Sequence, residues 1–427
     1  MVSGASFLAL SPREFKPLDL IFSRIGSSVV FTRVGLQISL ATILSLLWPS
    51  KLLLFIVPSA LHIISYNVHL STPLTSIALN NVLQSHGYTV LARQESITGY
   101  ISVLESEENH FRLLRCDHSL LGGEWLQPPQ GHEHTSKVRE PVFAVFAMLE
   151  AVRLVELEWV GQTWDSADEM GSVGRASVPD IEKSALVVGL GIGTTPAALI
   201  AHGINTTIVE IDPVVYEFAT KYFELPPNHI PVIEDATAYV DRARKNNVKS
   251  GRDYDYIIHD VFTGGAEPIE LFTPEFLSGL RDLLKPNGVI AINYAGDILL
   301  PSARLVINTI NHVFPFCRLF REHEAPPASA EESKSDFTNV VIFCIKDGSA
   351  SSFGFRSPNE DDFLGSYARR HYLLPRFEVD RAQFVERDGD LLWKGTTETL
   401  KKWQTKSASG HWELMRQVIP APVWENW

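Results

Sequence analysis

Four hydrophobic runs in the middle of the chain each end on a residue able to do chemistry. The first, SALVVG (184–189), opens into GLGIGTT, where Gly189, Gly191 and Gly193 alternate with other residues before a helical stretch. Glycine permits a tight turn and close backbone approach, and a helix start offers unpaired N–H groups. The second run, TTIVEI (206–211), carries Glu210, about 20 residues on, where a carboxylate can accept two ribose hydroxyls. The third, HIPVIE (229–234), leads to Asp235, which can receive an adenine amino group. The fourth, YDYIIHD (254–260), ends on Asp260 and a glycine-bearing loop. An aspartate at this position can orient or deprotonate a nucleophilic amine facing an activated sulfonium carbon, chemistry that needs alignment and exclusion of water but no metal. The glycine spacing suits dinucleotides and S-adenosylmethionine alike; the absence of a hydride-transfer pair favours the latter. His259 alternates to the opposite side of its strand and reads as a packed histidine.

These residues need a scaffold that brings strand ends to one edge. Helical patterns such as PVVYEFATKYF (213–223) and TPEFLSGLRDLLK (273–285) lie between the runs, with a further run GVIAINY (288–294) after them. Continuous apolar strands alternating with amphipathic helices predict a parallel sheet covered on both faces, α/β and Rossmann-like, with ligands bound at the strands' carboxyl ends. NVVIFCI (339–345) is a candidate additional strand. Upstream, TVLARQ, GYISVLES and HFRLLRCD predict a small antiparallel β domain. Its RCDHSLLGGEW turn offers Asp117, Glu124 and Trp125 as substrate-binding candidates, joined by Thr263 and Glu270 on the loop after Asp260. REPVFAVFAMLEAVRLVELEW (139–159) has apolar residues at helical spacing and predicts one helix.

Bulk composition narrows the alternatives. A net charge of -13 argues against a nucleic-acid partner. Cys116, Cys317 and Cys344 are odd in number and far apart, which predicts neither a zinc cluster nor a disulfide framework. The stretch from Val34 to Val68 carries one formal charge, Lys51, and predicts a membrane-prone hairpin or a long tilted segment. The expected division is an apolar, membrane-associated segment over 1–75, a β domain over 76–137, the Rossmann-like cofactor domain over 138–345, and an extension over 346–427. The expected location is accordingly membrane-associated or cytoplasmic.

From Tyr88 to Ile345 the chain resembles the polyamine aminopropyltransferase family, the spermidine and spermine synthases. The resemblance is carried by QESITGYISVLE (94–105), the strand with Asp117, GLGIGTT (189–195), VEID (209–212), EDA (234–236) and YDYIIHDVFTGGAEPIELF (254–272). It implies decarboxylated S-adenosylmethionine as cofactor, ribose contact at Glu210, adenine contact at Asp235, catalysis at Asp260, a polyamine acceptor and a homodimer. Two family acids are missing: the glycine loop has Ile192 where an aspartate would grip the ammonium, and Thr263 stands where a second aspartate follows the catalytic one. Burying an ammonium without a counter-charge is costly. The expected activity is therefore group transfer from S-adenosylmethionine or a relative to a small-molecule acceptor such as an amine, methyl ahead of aminopropyl. A noncatalytic interaction or membrane-scaffold protein with a degraded pocket is the alternative of a different class.

Overall fold

The computed structural model describes residues 33–52, 58, 62, 70–127, 136–159, 179–250, 253–261, 268–325, 336–346, 350–384, 389–393 and 398–426. Helix α1 (Arg33–Leu47) comes first and exposes Leu36, Ile38, Leu40, Ile43, Leu44, Leu46 and Leu47. It covers the first half of the expected apolar segment; apart from Pro58 and His62, residues 53–69 lie outside the described residues. No helix among the described residues is long and apolar enough to cross a membrane.

Helix α2 (Pro73–Leu83) begins at a capping box in which Thr72 and Thr75 satisfy each other's backbone N–H groups. Five strands follow: β1 (Tyr88–Glu95), β2 (Tyr100–Ser106), β3 (Phe111–Cys116), β4 (Ser119–Trp125) and β5 (Glu140–Pro141), paired in sequence order as an antiparallel sheet. The three runs read as strands are the first three of these.

The segment 139–159 is not one helix. It divides into β5, the short helix α3 (Val145–Leu149), a 3-10 turn and strand β6 (Val155–Trp159). Val155-Glu156-Leu157-Glu158-Trp159 alternates with the period of a strand, and its edge is filled by β14 (Ala350–Phe355) far along the chain. The turn between them buries Glu150 and Arg153, and Glu150 makes a two-pronged ion pair with Arg369 at 2.7 and 2.8 Å.

The main sheet grows from β7 (Ser184–Val188), α4 (Thr194–Ala201), β8 (Asn205–Glu210), α5 (Pro213–Tyr222), β9 (Ile230–Ile233), α6 (Ala236–Ser250), β10 (Tyr254–His259), α7 (Pro274–Leu283) and β11 (Leu284–Asp297). Helix α8 (Pro301–Val313) then leads to β12 (Cys317–Arg321) and β13 (Phe337–Ile345). The eight strands lie in the order β15-β12-β13-β11-β10-β7-β8-β9, where β15 is Phe377–Val379. The five from β9 to β11 are parallel, and β13, β12 and β15 add antiparallel. Alternate residues feed opposite cores: Leu186, Val188 and Ile257 face α7 and α8, while Ala185, Val187 and Ile258 face α3 and α4. A parallel strand buried on both faces must be apolar throughout, which is why these runs lack polar alternation.

Two other features depart from expectation. Cys317 and Cys344 form a disulfide, because the pairing of β12 with β13 sets them directly opposite, with Cα atoms 4.1 Å apart. The expectation of no disulfide failed because strand register is invisible in cysteine spacing. The residues after 345 are no simple appendage either. Helix α9 (Tyr367–Tyr372) supplies Arg369 to the core, and α10 (Glu398–Val418) packs against β4, β11 and β13, bridging the two sheets.

Candidate functional site

In the main sheet β8 and β9 grow to one side of β7, and β10 and β11 to the other. The chain reverses direction of growth between β7 and β10, and folds of this type open a crevice at that switch point. The crevice is a cavity of about 710 Å³, room for a nucleoside cofactor and a second molecule. Gly189, Gly191, Glu210, Asp235, Asp260 and Glu270 all line it.

The glycine turn is required by contact as well as conformation. Gly189 has φ +90°, and a Cβ there would lie 2.0 Å from the Asp260 carbonyl oxygen. Gly191 has φ +55°, and its Cβ would lie 2.4 Å from the carbonyl oxygen of Leu121 on β4. The turn is thus pressed between the strand that carries Asp260 and the small sheet, leaving backbone only along the cavity wall. Helix α4 starts at Gly193 with no side-chain cap on its first N–H groups.

Glu210 is buried at the end of β8, where its two oxygens accept the backbone N–H groups of Leu190, at 3.0 Å, and Asp212, at 2.8 Å. Burial pushes its carboxyl up to about 7, against the pull of those N–H groups. A carboxylate aimed into a cavity and held in this state fits a ligand that brings hydroxyl donors. Asp235 caps α6, one oxygen accepting the Thr237 N–H at 2.6 Å. Asp260 accepts the Asn293 side-chain N–H at 2.8 Å, and burial raises it to about 6, opposed by that hydrogen bond. His259 is fully buried, donates from Nε2 to the Leu271 carbonyl at 3.0 Å and packs edge-on against Phe272, as a structural histidine does.

Asp117, Glu124 and Trp125 lie elsewhere. Asp117 turns into the backbone, accepting the Tyr100 N–H at 3.0 Å. Glu124 and Trp125, with Gly193, line a separate cavity of about 300 Å³ on the other side of the glycine turn. Glu124 is buried there 3.7 Å from Arg112, and burial raises its carboxyl to about 7. Trp125 packs edge-on against Phe111. Thr263 lies outside the described residues. Ile192 does not line the large cavity; it is buried in an apolar cluster with Leu190, Val214 and Phe218, below Gly122 of the small sheet.

Several residues in or beside the cavity stand outside the glycine and strand-end pattern. Asn293 interrupts the apolar run of β11, a signal that an alternation argument passes over. Asp212 is buried, caps α5 and accepts hydrogen bonds from Ser96, at 2.6 Å, and Thr98, at 2.5 Å, tying the β1–β2 turn to the mouth of the site. The adjacent Pro213 makes this a readable helix-start signature. Glu322 accepts the backbone N–H groups of Val145 and Ala144. His411, Leu414 and Met415 of α10 contribute to the lining, and His411 Nε2 lies 3.1 Å from Ser119 Oγ of β4. Nothing local in their sequence marks them.

Comparison with known proteins gives a consistent picture. The spermine/spermidine synthase domain matches residues 169–320. An N-terminal histidine N-methyltransferase of Emericella nidulans is 51% identical over 412 residues, which cover 94% of this chain and 70% of that protein. A polyamine aminopropyltransferase of Vibrio vulnificus is 39% identical over 112 residues, 25% of this chain and 36% of that one. Among solved structures, a probable spermidine synthase from Corynebacterium glutamicum aligns with a TM-score of 0.47 at 16% identity, covering 70% of this chain and 96% of that one.

Proposed function

We propose, since the chain belongs to the family of the Emericella nidulans N-terminal histidine N-methyltransferase, that it methylates the imidazole of a histidine at the N-terminus of a polypeptide. It is an S-adenosylmethionine-dependent transferase with a spermidine synthase-like fold. The observation that carries the reading is the single cavity holding both Glu210 and Asp260, with Ile192 withdrawn from it.

In this reading Glu210 accepts the ribose hydroxyls, the remaining oxygen of Asp235 receives the adenine amino group, and the Gly189–Gly191 backbone lies along the cofactor's tail. Bound S-adenosylmethionine supplies an electrophilic methyl carbon. Asp260 accepts a ring N–H of the acceptor imidazole, which keeps the other ring nitrogen's lone pair free to attack. As the new N–CH₃ bond forms, the methyl–sulfonium bond breaks and its electron pair leaves on the neutral thioether of S-adenosylhomocysteine; the ring becomes cationic, and Asp260 stabilises that charge and takes the N–H proton, which passes to solvent. A base raised to about 6 is ionised at neutral pH yet is not so weak that it cannot hold a proton in passing. Asp260, Glu270 and Glu322 suit the positive charge of a free N-terminus. The withdrawn Ile192 favours methyl over aminopropyl, because the glycine turn presents no acid for an aminopropyl ammonium.

The test is incubation of the purified protein with S-adenosylmethionine and synthetic peptides carrying histidine first, histidine second, or N-acetylated histidine first. Methylation of the first peptide alone is expected, seen as a one-methyl mass gain on the ring. Aminopropyl transfer from the decarboxylated cofactor to putrescine, with no peptide methylation, would overturn the reading.

A further inference from the structure

We infer that Asn293 is the residue that reads the acceptor: its side-chain oxygen receives an N–H of the methyl-accepting group. The inference rests on the methyl-transfer reading above and extends it to a residue with no place in the motifs. Asn293 is 7% exposed on β11 and lines the cavity beside Asp260. Its Nδ2 donates to Asp260 Oδ1 at 2.8 Å. This hydrogen bond fixes the amide's orientation, since an ionised carboxylate only accepts and the NH₂ must therefore face it. The amide oxygen is thereby turned the other way, and it is buried with no partner among the described residues.

A buried acceptor left in this condition is unfavourable, and native structures rarely tolerate one without a donor that arrives later. The cofactor is not the natural source of that donor. Its ribose and adenine contacts belong to Glu210 and Asp235, on the β8 and β9 side, whereas Asn293 stands across β10 on β11. The acceptor substrate is the molecule that must reach Asp260, and Asn293 adjoins Asp260 directly. A neutral imidazole carries one ring N–H and one lone pair. The Asn293 oxygen and the Asp260 oxygen that Nδ2 does not occupy both only accept, so either offers a partner to the N–H and neither offers one to the lone pair. A lone pair turned toward either oxygen would be repelled, so the pair selects the productive ring orientation as well as the ring. Asn293 is therefore a positioning residue for the substrate and, through its NH₂, for Asp260.

The experiment is a two-by-two comparison. The enzyme is wild type or Asn293→Leu, and the peptide begins with histidine or with 3-pyridylalanine, whose ring has a nucleophilic nitrogen and no N–H. Wild type is expected to prefer the histidine peptide by roughly tenfold to a hundredfold in kcat/KM, and Asn293→Leu to lose roughly a three- to tenfold part of that preference, the remainder being held by Asp260. Calorimetric S-adenosylmethionine affinity within about threefold of wild type and an unchanged melting profile certify the variant. If Asn293→Leu fails either check, Asn293→Ser, smaller and polar, supplies the same comparison. Penalties that simply multiply, so that the variant retains the full preference for histidine, would overturn the role of Asn293 and leave the methyl-transfer reading standing. Failure of the wild-type protein to methylate the histidine peptide would overturn both.

Discussion

Replacing Glu210 by glutamine removes one titrating proton from the wall of the proposed cofactor cavity, and the structure fixes the sign of the effect on stability. The carboxyl is raised from 4.5 to about 7, with burial the largest cause. Between those values the folded protein holds a proton that the unfolded chain has released. The free wild-type protein must therefore lose stability as pH rises from 4.5 to about 7, and the loss levels off above that. At about 1.4 kcal/mol per pH unit the full loss is about 3 kcal/mol. Glutamine has one acceptor oxygen where Glu210 offers two, so one of the Leu190 and Asp212 N–H groups loses its partner, a pH-independent cost of about 1 kcal/mol. Urea unfolding of both proteins from pH 4.5 to about pH 8 isolates the residue, because every other titrating group cancels in the difference. The wild type is expected to fall relative to Glu210→Gln by about 3 kcal/mol across the window. Ribose hydroxyls that donate to the ionised carboxylate reverse the trend, so S-adenosylmethionine should bind wild type more tightly as pH rises toward 7 and should bind the variant weakly at every pH. A wild-type minus variant difference that is flat with pH would refute the argument that this carboxylate is desolvated and waiting for donors.

Other perturbations test the remaining parts of the site. Asp260→Asn should lower kcat by roughly 10²–10⁴-fold while S-adenosylmethionine affinity stays within about threefold, measured by single turnover and calorimetry. A fall in both alike would assign Asp260 to the cofactor. Gly189→Ala drives a Cβ to 2.0 Å from the Asp260 carbonyl oxygen at a left-handed φ. On the order of 2–4 kcal/mol of stability should be lost in urea unfolding, together with cofactor binding. Glu322→Gln should raise KM for a free histidine N-terminus by roughly two- to fivefold, the scale of a partly screened ion pair, without changing kcat. Replacing both Cys317 and Cys344 by serine opens a link across a sequence separation of 27 residues and should cost about 3 kcal/mol, read by thermal melting beside the reduced wild type.

The parts of the site that were legible in the sequence are those whose cause is local. Gly189 and Gly191 need left-handed backbone, Glu210 and Asp260 end apolar strands, and each signal lies within a few residues of its effect. Strand runs buried on both faces were equally readable. The misreadings have a shared cause, which is dependence on a distant partner. Residues 139–159 show helical spacing, yet Val155–Trp159 is drawn into a strand by β14, and Glu150 is fixed by Arg369, more than two hundred positions away. The disulfide depends on the register of β12 against β13. Glu124 and Trp125, expected as substrate-binding candidates, line a separate cavity, because the Leu121–Gly191 contact places the glycine turn between them and Asp260.

The same distinction explains how one core can transfer different groups. Every residue assigned here to the cofactor, from Gly189 to Asp235, lies inside the matched span 169–320, and so does Asp260. Of the other residues that line the cavity, Leu120 and Leu121 come from β4, Asn339 from β13, and His411, Leu414 and Met415 from α10, all outside that span. The His411–Ser119 contact and the edge-on packing of Trp412 on His118 and Trp424 join α10 to the small sheet, so these walls form one unit. Asp212 ties that unit to the core through Ser96 and Thr98. On the proposed reading, changing the acceptor requires changing these walls and the residue beside Asp260, while the cofactor's share of the cavity stays as it is. An exchange of α10 between this chain and an aminopropyl-transferring relative should accordingly alter which acceptor is used and leave cofactor affinity within about threefold, since α10 packs chiefly on α8, β4, β11 and β13 rather than on β7, β8 and β9, which lead to Gly189, Glu210 and Asp235. A loss of cofactor affinity in the exchanged protein would mean that these walls and the cofactor's share of the cavity are a single site, and that the acceptor cannot be re-specified without rebuilding both.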